Sequence, residues 1–126
     1  MQADAAPQFE RTRILLTPAE MSRLTHAHVL VAGLGGVGSY CAEALARAGV
    51  GRLTLIDHDV VAASNINRQL PALLTTVGQP KAALMAARIR DINSACDLQV
   101  IREFLTPDNV ISLVPAEVDY VIDCID

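Results

Sequence analysis

Short apolar runs at residues 28–32, 52–56, 98–101 and 120–124 divide the chain, and each is bounded by Gly, Asp or Pro. Their length and β-branched content predict strands, and the unbroken apolar character of the first predicts burial on both faces, as in a parallel sheet. Helical signals lie between them. Residues 36–48 read as a helix ended by Gly49 and Gly51, and 80–93 as another, with Met85, Ile89 and Ile92 on one face. Thr106-Pro107 reads as the start of a short helix to Leu113. Ahead of the first strand, Thr17-Pro-Ala-Glu20 combines an N-cap, a first-turn proline and a capping box, predicting a helix to about Leu24. Strands alternating with helices predict an α/β fold: a Rossmann-like, doubly wound, mainly parallel sheet with helices on both faces. Residues 1–10 read as a flexible N-terminus, and 11–126 as one folded domain.

Composition agrees with a sheet buried by helices. Of 126 residues, 52% are hydrophobic but only 3% aromatic, so the core is aliphatic. A net charge of −4 gives no global basic field, so any RNA contact needs a local patch or residues beyond this stretch. The three cysteines, Cys41, Cys96 and Cys124, form no C-x-x-C pair, which points to a reducing compartment and away from a zinc site. Without a signal-peptide core or an apolar run of membrane length, the expectation is a soluble, cytoplasmic protein with no membrane partner. The sequence stops at Asp126, directly after the last strand-like run, which reads as a truncated C-terminus and the N-terminal half of a larger domain.

The first strand runs into Gly33-Leu-Gly-Gly-Val-Gly38. Gly33, Gly35 and Gly38 meet the G-x-G-x-x-G spacing: one glycine for a tight turn, one for backbone approach to a phosphate, one for close helix–strand packing. Free N–H groups at the following helix start, with its dipole, favour an anion. Asp57, at the end of the second strand, stands where a carboxylate meets ribose hydroxyls. These features alone admit NAD, FAD, S-adenosylmethionine or ATP. The loop after Asp57 discriminates, because Asn65, Arg68, Gln69 and Lys81 suit a polyphosphate better than a nicotinamide. Asp123 and Asp126, at the carboxyl end of the fourth strand, are candidate magnesium ligands.

Gly33-Leu-Gly-Gly-Val-Gly-Ser39, Asp57-x-Asp59, Ser64-Asn-x-Asn-Arg-Gln69, Gly78-Gln-Pro-Lys81 and Asp123-Cys-Ile-Asp126 together resemble the adenylating superfamily of ThiF, MoeB and the ubiquitin-activating enzymes. Glu10-Arg-Thr-Arg13, Phe104-Leu-Thr-Pro-Asp-Asn109 and Asp119-Tyr-Val-Ile-Asp123 are most similar to its tRNA threonylcarbamoyladenosine dehydratases. The resemblance implies an ATP-binding domain in which Gly35 and Gly36 line the nucleotide, Asp57 takes the ribose, and Asn65, Arg68 and Lys81 hold the phosphates. It implies magnesium on Asp126, a homodimer in which Arg13 reaches the partner's site, tRNA as substrate, and a cysteine desulfurase as a partner of some members. The implied reaction adenylates a carboxylate on modified tRNA adenosine, and ring closure then expels AMP.

Blander readings stand beside these. One of Asp57 and Asp59 is expected only to cap its turn, and the choice falls on Asp59. Arg68, Lys81 and Arg13, taken singly, are ordinary solvated charges. Cys41 reads as a small core residue, Cys124 as part of a buried strand, and Cys96 as a loop residue open to solvent. His26, His28 and His58 lack metal-ligand spacing, and only His58 falls near the nucleotide site. Two other functions stay open: adenylation of the C-terminus of a ubiquitin-like sulfur carrier, and a non-catalytic NAD-binding module.

Overall fold

The computed structural model describes residues 6–126. Strands β1 (His28–Ala32), β2 (Arg52–Ile56), β3 (Asp97–Ile101) and β4 (Tyr120–Asp123) form one parallel sheet in the order β3-β2-β1-β4. The helices are α1 (Thr12–Leu15), α2 (Pro18–His26), α3 (Gly38–Ala48), α4 (Lys81–Ile92) and α5 (Val110–Leu113). The chain winds outward from β1 through β2 to β3, then returns to place β4 on the other side of β1. The direction of winding therefore switches between β1 and β4, which is where open α/β sheets hold ligands, beyond the strands' carboxyl ends.

Each face of the sheet has its own packing. Val29, Val31, Leu53 and Leu55 meet Ala42 and Ala46 of α3 and Ala82, Met85 and Ile89 of α4. Small residues on α3 let the helix lie close to the strands, and burial of these aliphatic side chains is the main stabilising term. Leu30, Ala32 and Ile56 point to the opposite face, against Leu105, Val114 and Val118 from the stretch around α5.

The ends of β1 and β2 match the apolar runs, and the Thr17–Glu20 capping box forms in both directions. Several expectations are corrected. Of the expected flexible N-terminus, residues 1–5 lie outside the described residues. Pro7–Phe9 form a 3₁₀ turn, and Phe9 is buried against Gly49. Pro80 is the N-cap of α4 rather than its first residue. The helix expected from Thr106 starts at Val110, because Thr106 and Asn109 bond reciprocally, side chain to backbone, and close a turn of their own. β4 is an edge strand of the sheet, and its Tyr120 and Val121 are exposed rather than buried. Cys96 is also corrected: it is buried, and that burial pushes its thiol up to about 11. Burial, then the neighbouring Cys124 thiol, raises Cys41 as well, so neither is a ready thiolate.

Candidate nucleotide-binding site

β1 ends in a turn that leaves no room for a side chain at Gly33 or Gly38. Gly33 has φ +91°, and a Cβ there would also lie 2.8 Å from the Cys124 carbonyl oxygen. A Cβ on Gly38 would fall 1.6 Å from the Gly33 carbonyl oxygen, so α3 can begin against the turn only with glycine at that position. The Gly33 N–H donates to the Ile56 carbonyl at 2.8 Å, tying the turn to β2.

Asp57 follows β2 directly and braces this turn. Its Oδ2 accepts from the Leu34 N–H and its Oδ1 from the Asp59 N–H, both at 2.7 Å. A carboxylate accepting two backbone N–H groups is firmly oriented. The assignment between the two aspartates is thereby corrected. Asp57 does the turn-capping, while the Asp59 carboxylate pairs with Lys81 Nζ at 3.6 Å and His58 Nε2 at 3.3 Å.

Lys81 reaches the same place by a backbone ladder. Val61 N–H donates to the Gln79 carbonyl, Gly78 N–H to Val61, and Lys81 N–H to Asp59, with Val60 and Pro80 bridged antiparallel. Its side chain is 7% exposed. A cavity of about 220 Å³ opens between these elements at the switch point. Gly33 and Gly35 line one side, Asp57, Asp59 and Lys81 another, and Gln69 packs beside Gly35. Glu103, Phe104 and Leu105, following β3, and Cys124 to Asp126, following β4, complete it. The His58 ring meets Phe104 edge-on, with centroids 4.8 Å apart.

Among the expected site residues, Gly33, Gly35, Asp57, Gln69, Lys81 and Asp126 thus share one cavity. Others do not reach it. Asn65 Oδ1 accepts from the Ala62 N–H, closing its own 3₁₀ turn. Arg68 is exposed and donates to the Ser64 carbonyl and Asn67 Oδ1, its stem lying over Gly36. Asp123 Oδ1 accepts from the Ile125 N–H, and Arg13 donates to the Ala6 carbonyl. The cavity thus brings together part of the motif set. Asp59, Glu103 and Phe104 were not singled out for the site. The rule that α/β sites collect residues beyond every strand's carboxyl end points to the last two. Among the described residues no group of three or more His, Cys, Asp or Glu could hold a metal ion, and no helix is long and apolar enough to cross a membrane.

A glycine turn, an aspartate bonded to it and a buried lysine meet at the switch point of an α/β domain, and a model of the ThiF family matches residues 9–126. The chain belongs to the ThiF family. It is 48% identical over 112 residues to the tRNA threonylcarbamoyladenosine dehydratase of Haemophilus influenzae, covering 89% of this chain and 43% of that protein. The enzyme of the same name from Bacillus subtilis is 48% identical over 119 residues, covering 94% and 47%. The crystal structure of Escherichia coli tRNA N6-threonylcarbamoyladenosine dehydratase, TcdA, in complex with ATP superposes with a TM-score of 0.92 at 48% identity, over 94% of this chain and 49% of that one. The chain thus spans about half the length of the relatives it matches.

Proposed function

We propose that the chain is the nucleotide-binding part of an ATP-dependent tRNA threonylcarbamoyladenosine dehydratase. The observation that carries this reading is the meeting of the glycine turn, Asp57 and buried Lys81 on one cavity at the switch point. The relatives' names and the ATP held by the Escherichia coli protein support it.

In this reading the glycine-turn backbone and Lys81 take the phosphates, and Asp57 the ribose hydroxyls. Asn65 and Arg68 join the phosphates after leaving their present turn bonds. A substrate carboxylate attacks the α-phosphorus and pyrophosphate leaves. A nitrogen of the same substrate then attacks the activated carbonyl and AMP departs, so that one water is lost overall. Fixed cations facing the phosphates supply the electrostatic part of such catalysis. Magnesium would enter with the phosphates and take Asp126 as its protein ligand, since magnesium in phosphate sites commonly uses one or two carboxylates. Asp123, turned to the Ile125 N–H, would be a further ligand only on release. The proposal includes a cytoplasmic homodimer with Arg13 lent to the partner's site, tRNA as substrate, and a sulfur-transfer partner of the desulfurase type.

The test is calorimetric titration with ATP and magnesium, with NAD in parallel, followed by AMP release from tRNA by a chain of the relatives' length. ATP binding without NAD binding, and tRNA-dependent AMP release, are the expected results. Binding of NAD alone would replace the reading with a redox or regulatory module. Pyrophosphate exchange that depends on a ubiquitin-like carrier would replace it with carrier adenylation.

A further inference from the structure

Lys81 is the only lysine in the sequence and is 5% exposed. An ammonium so buried requires a compensating charge. The charged and titratable groups sharing its cavity are Asp57, His58, Asp59, Glu103, Cys124 and Asp126. Both Asp57 oxygens accept backbone N–H groups, and among the described residues Asp59 alone pairs with Lys81. The pairing is doubly enforced. The Asp59 carbonyl accepts the Lys81 N–H at 3.1 Å, so the two residues sit side by side on the ladder. The other Asp59 oxygen is held by His58 Nε2, whose ring is packed edge-on against Phe104.

We propose that Asp59 is a positioning residue of this site: held by His58, it keeps the Lys81 ammonium on the cavity wall, ready for the phosphates. This deepens the proposed function and rests on its triphosphate reading. The sign of the effect separates the proposal from its simplest rival. A carboxylate that is only one more negative charge near the phosphates would weaken ATP binding, and its removal would strengthen it. A carboxylate that fixes the lysine does the reverse.

A single lysine makes the test direct. In a chain carrying ¹³Cε-lysine, Lys81 gives the one lysine signal, and Asp59→Asn is expected to move it toward the position of a free lysine, with Asp59→Glu restoring much of the shift. In calorimetry, Asp59→Asn should weaken ATP about tenfold or more and adenosine less than about twofold. In a Lys81→Met background, Asp59→Asn should add no further loss. An unmoved lysine signal, or ATP binding equal or tighter in Asp59→Asn, would overturn the proposal. If the wild-type chain binds no ATP while the signal still moves, the triphosphate reading fails and Asp59 still positions Lys81.

Discussion

Both ends of the sheet carry polar groups, and they are organised in opposite ways. At the amino ends of the strands, His28 and Thr54 are buried and linked at 2.7 Å, with the Thr54 hydroxyl donating on to Gln99 Oε1 at 3.5 Å. Around them Arg52 pairs with Asp97 and Glu117, and Asp119 accepts the His28 N–H. These groups bond mainly to one another, with the buried His28 Nδ1 left unpartnered. At the carboxyl ends, side chains are held from behind and face a cavity in front. Asp57 is braced by two N–H groups, Lys81 by Asp59, and Gln69 keeps its Oε1 without a partner. Polar groups satisfied internally serve stability, whereas groups positioned on one side and open on the other serve a ligand.

The largest expected effect cuts across this division. Gly38→Ala sets a Cβ 1.6 Å from a backbone oxygen that cannot move aside, so unfolding by urea should show a loss of about 3 kcal/mol or more. Gly35→Ala is the sharper probe, because its Cβ would meet only the Gln69 amide nitrogen, the end of a flexible side chain, at 3.3 Å. Stability should stay within about 1 kcal/mol of the parent while ATP affinity drops about tenfold, from lost backbone approach to phosphate. Equal stability loss in the two variants would mean that the glycine turn is spaced for packing and not for a ligand.

That contrast also explains what could be read from the sequence. Most steric demands are local: Gly38 against the Gly33 carbonyl, the Thr17 capping box and the ends of β1 and β2 are fixed by residues close in the chain or by a continuous apolar run, whereas the approach of Gly33 to the Cys124 carbonyl is set by the fold. Side-chain direction in the loop from Asp57 to Lys81 is not local in this sense. Asn65 and Arg68 carry chemistry suited to phosphate, but each also fits a nearby turn bond, and those bonds are made in the structure. Asp57 and Asp59 are two residues apart and of the same type. Which one caps and which one pairs depends on the Val60–Pro80 bridge, a contact set by the fold.

Arg68→Ala should accordingly weaken ATP less than Lys81→Met does, with stability unchanged within about 0.5 kcal/mol, since Arg68 is exposed and must break two bonds to reach the cavity. Paired titrations decide this. A larger loss for Arg68→Ala would show that residues 63–69 rearrange on nucleotide binding.

The smallest effect belongs to the amino-end network and should appear in stability alone. Because Thr54 donates toward Gln99, it accepts from His28 Nε2–H, and the buried His28 Nδ1 has no partner. Burial, and then the Arg52 charge, hold the His28 pKa below its ordinary value of 6.5, against the pull of Glu117, Asp119 and Asp97. A histidine with a lowered folded-state pKa contributes stability that is complete above the unfolded value and is lost as pH falls through the folded one. Stability should therefore decline from pH 7 toward pH 5.5 with a slope of at most about 1.4 kcal/mol per pH unit from this group. In His28→Gln, which retains an N–H donor for Thr54 but does not titrate, urea midpoints should vary less with pH over that range. ATP affinity at each pH should match the parent, because His28 lies at the amino end of the sheet, away from the Lys81 cavity. A change in affinity would show that the two ends are coupled through β1.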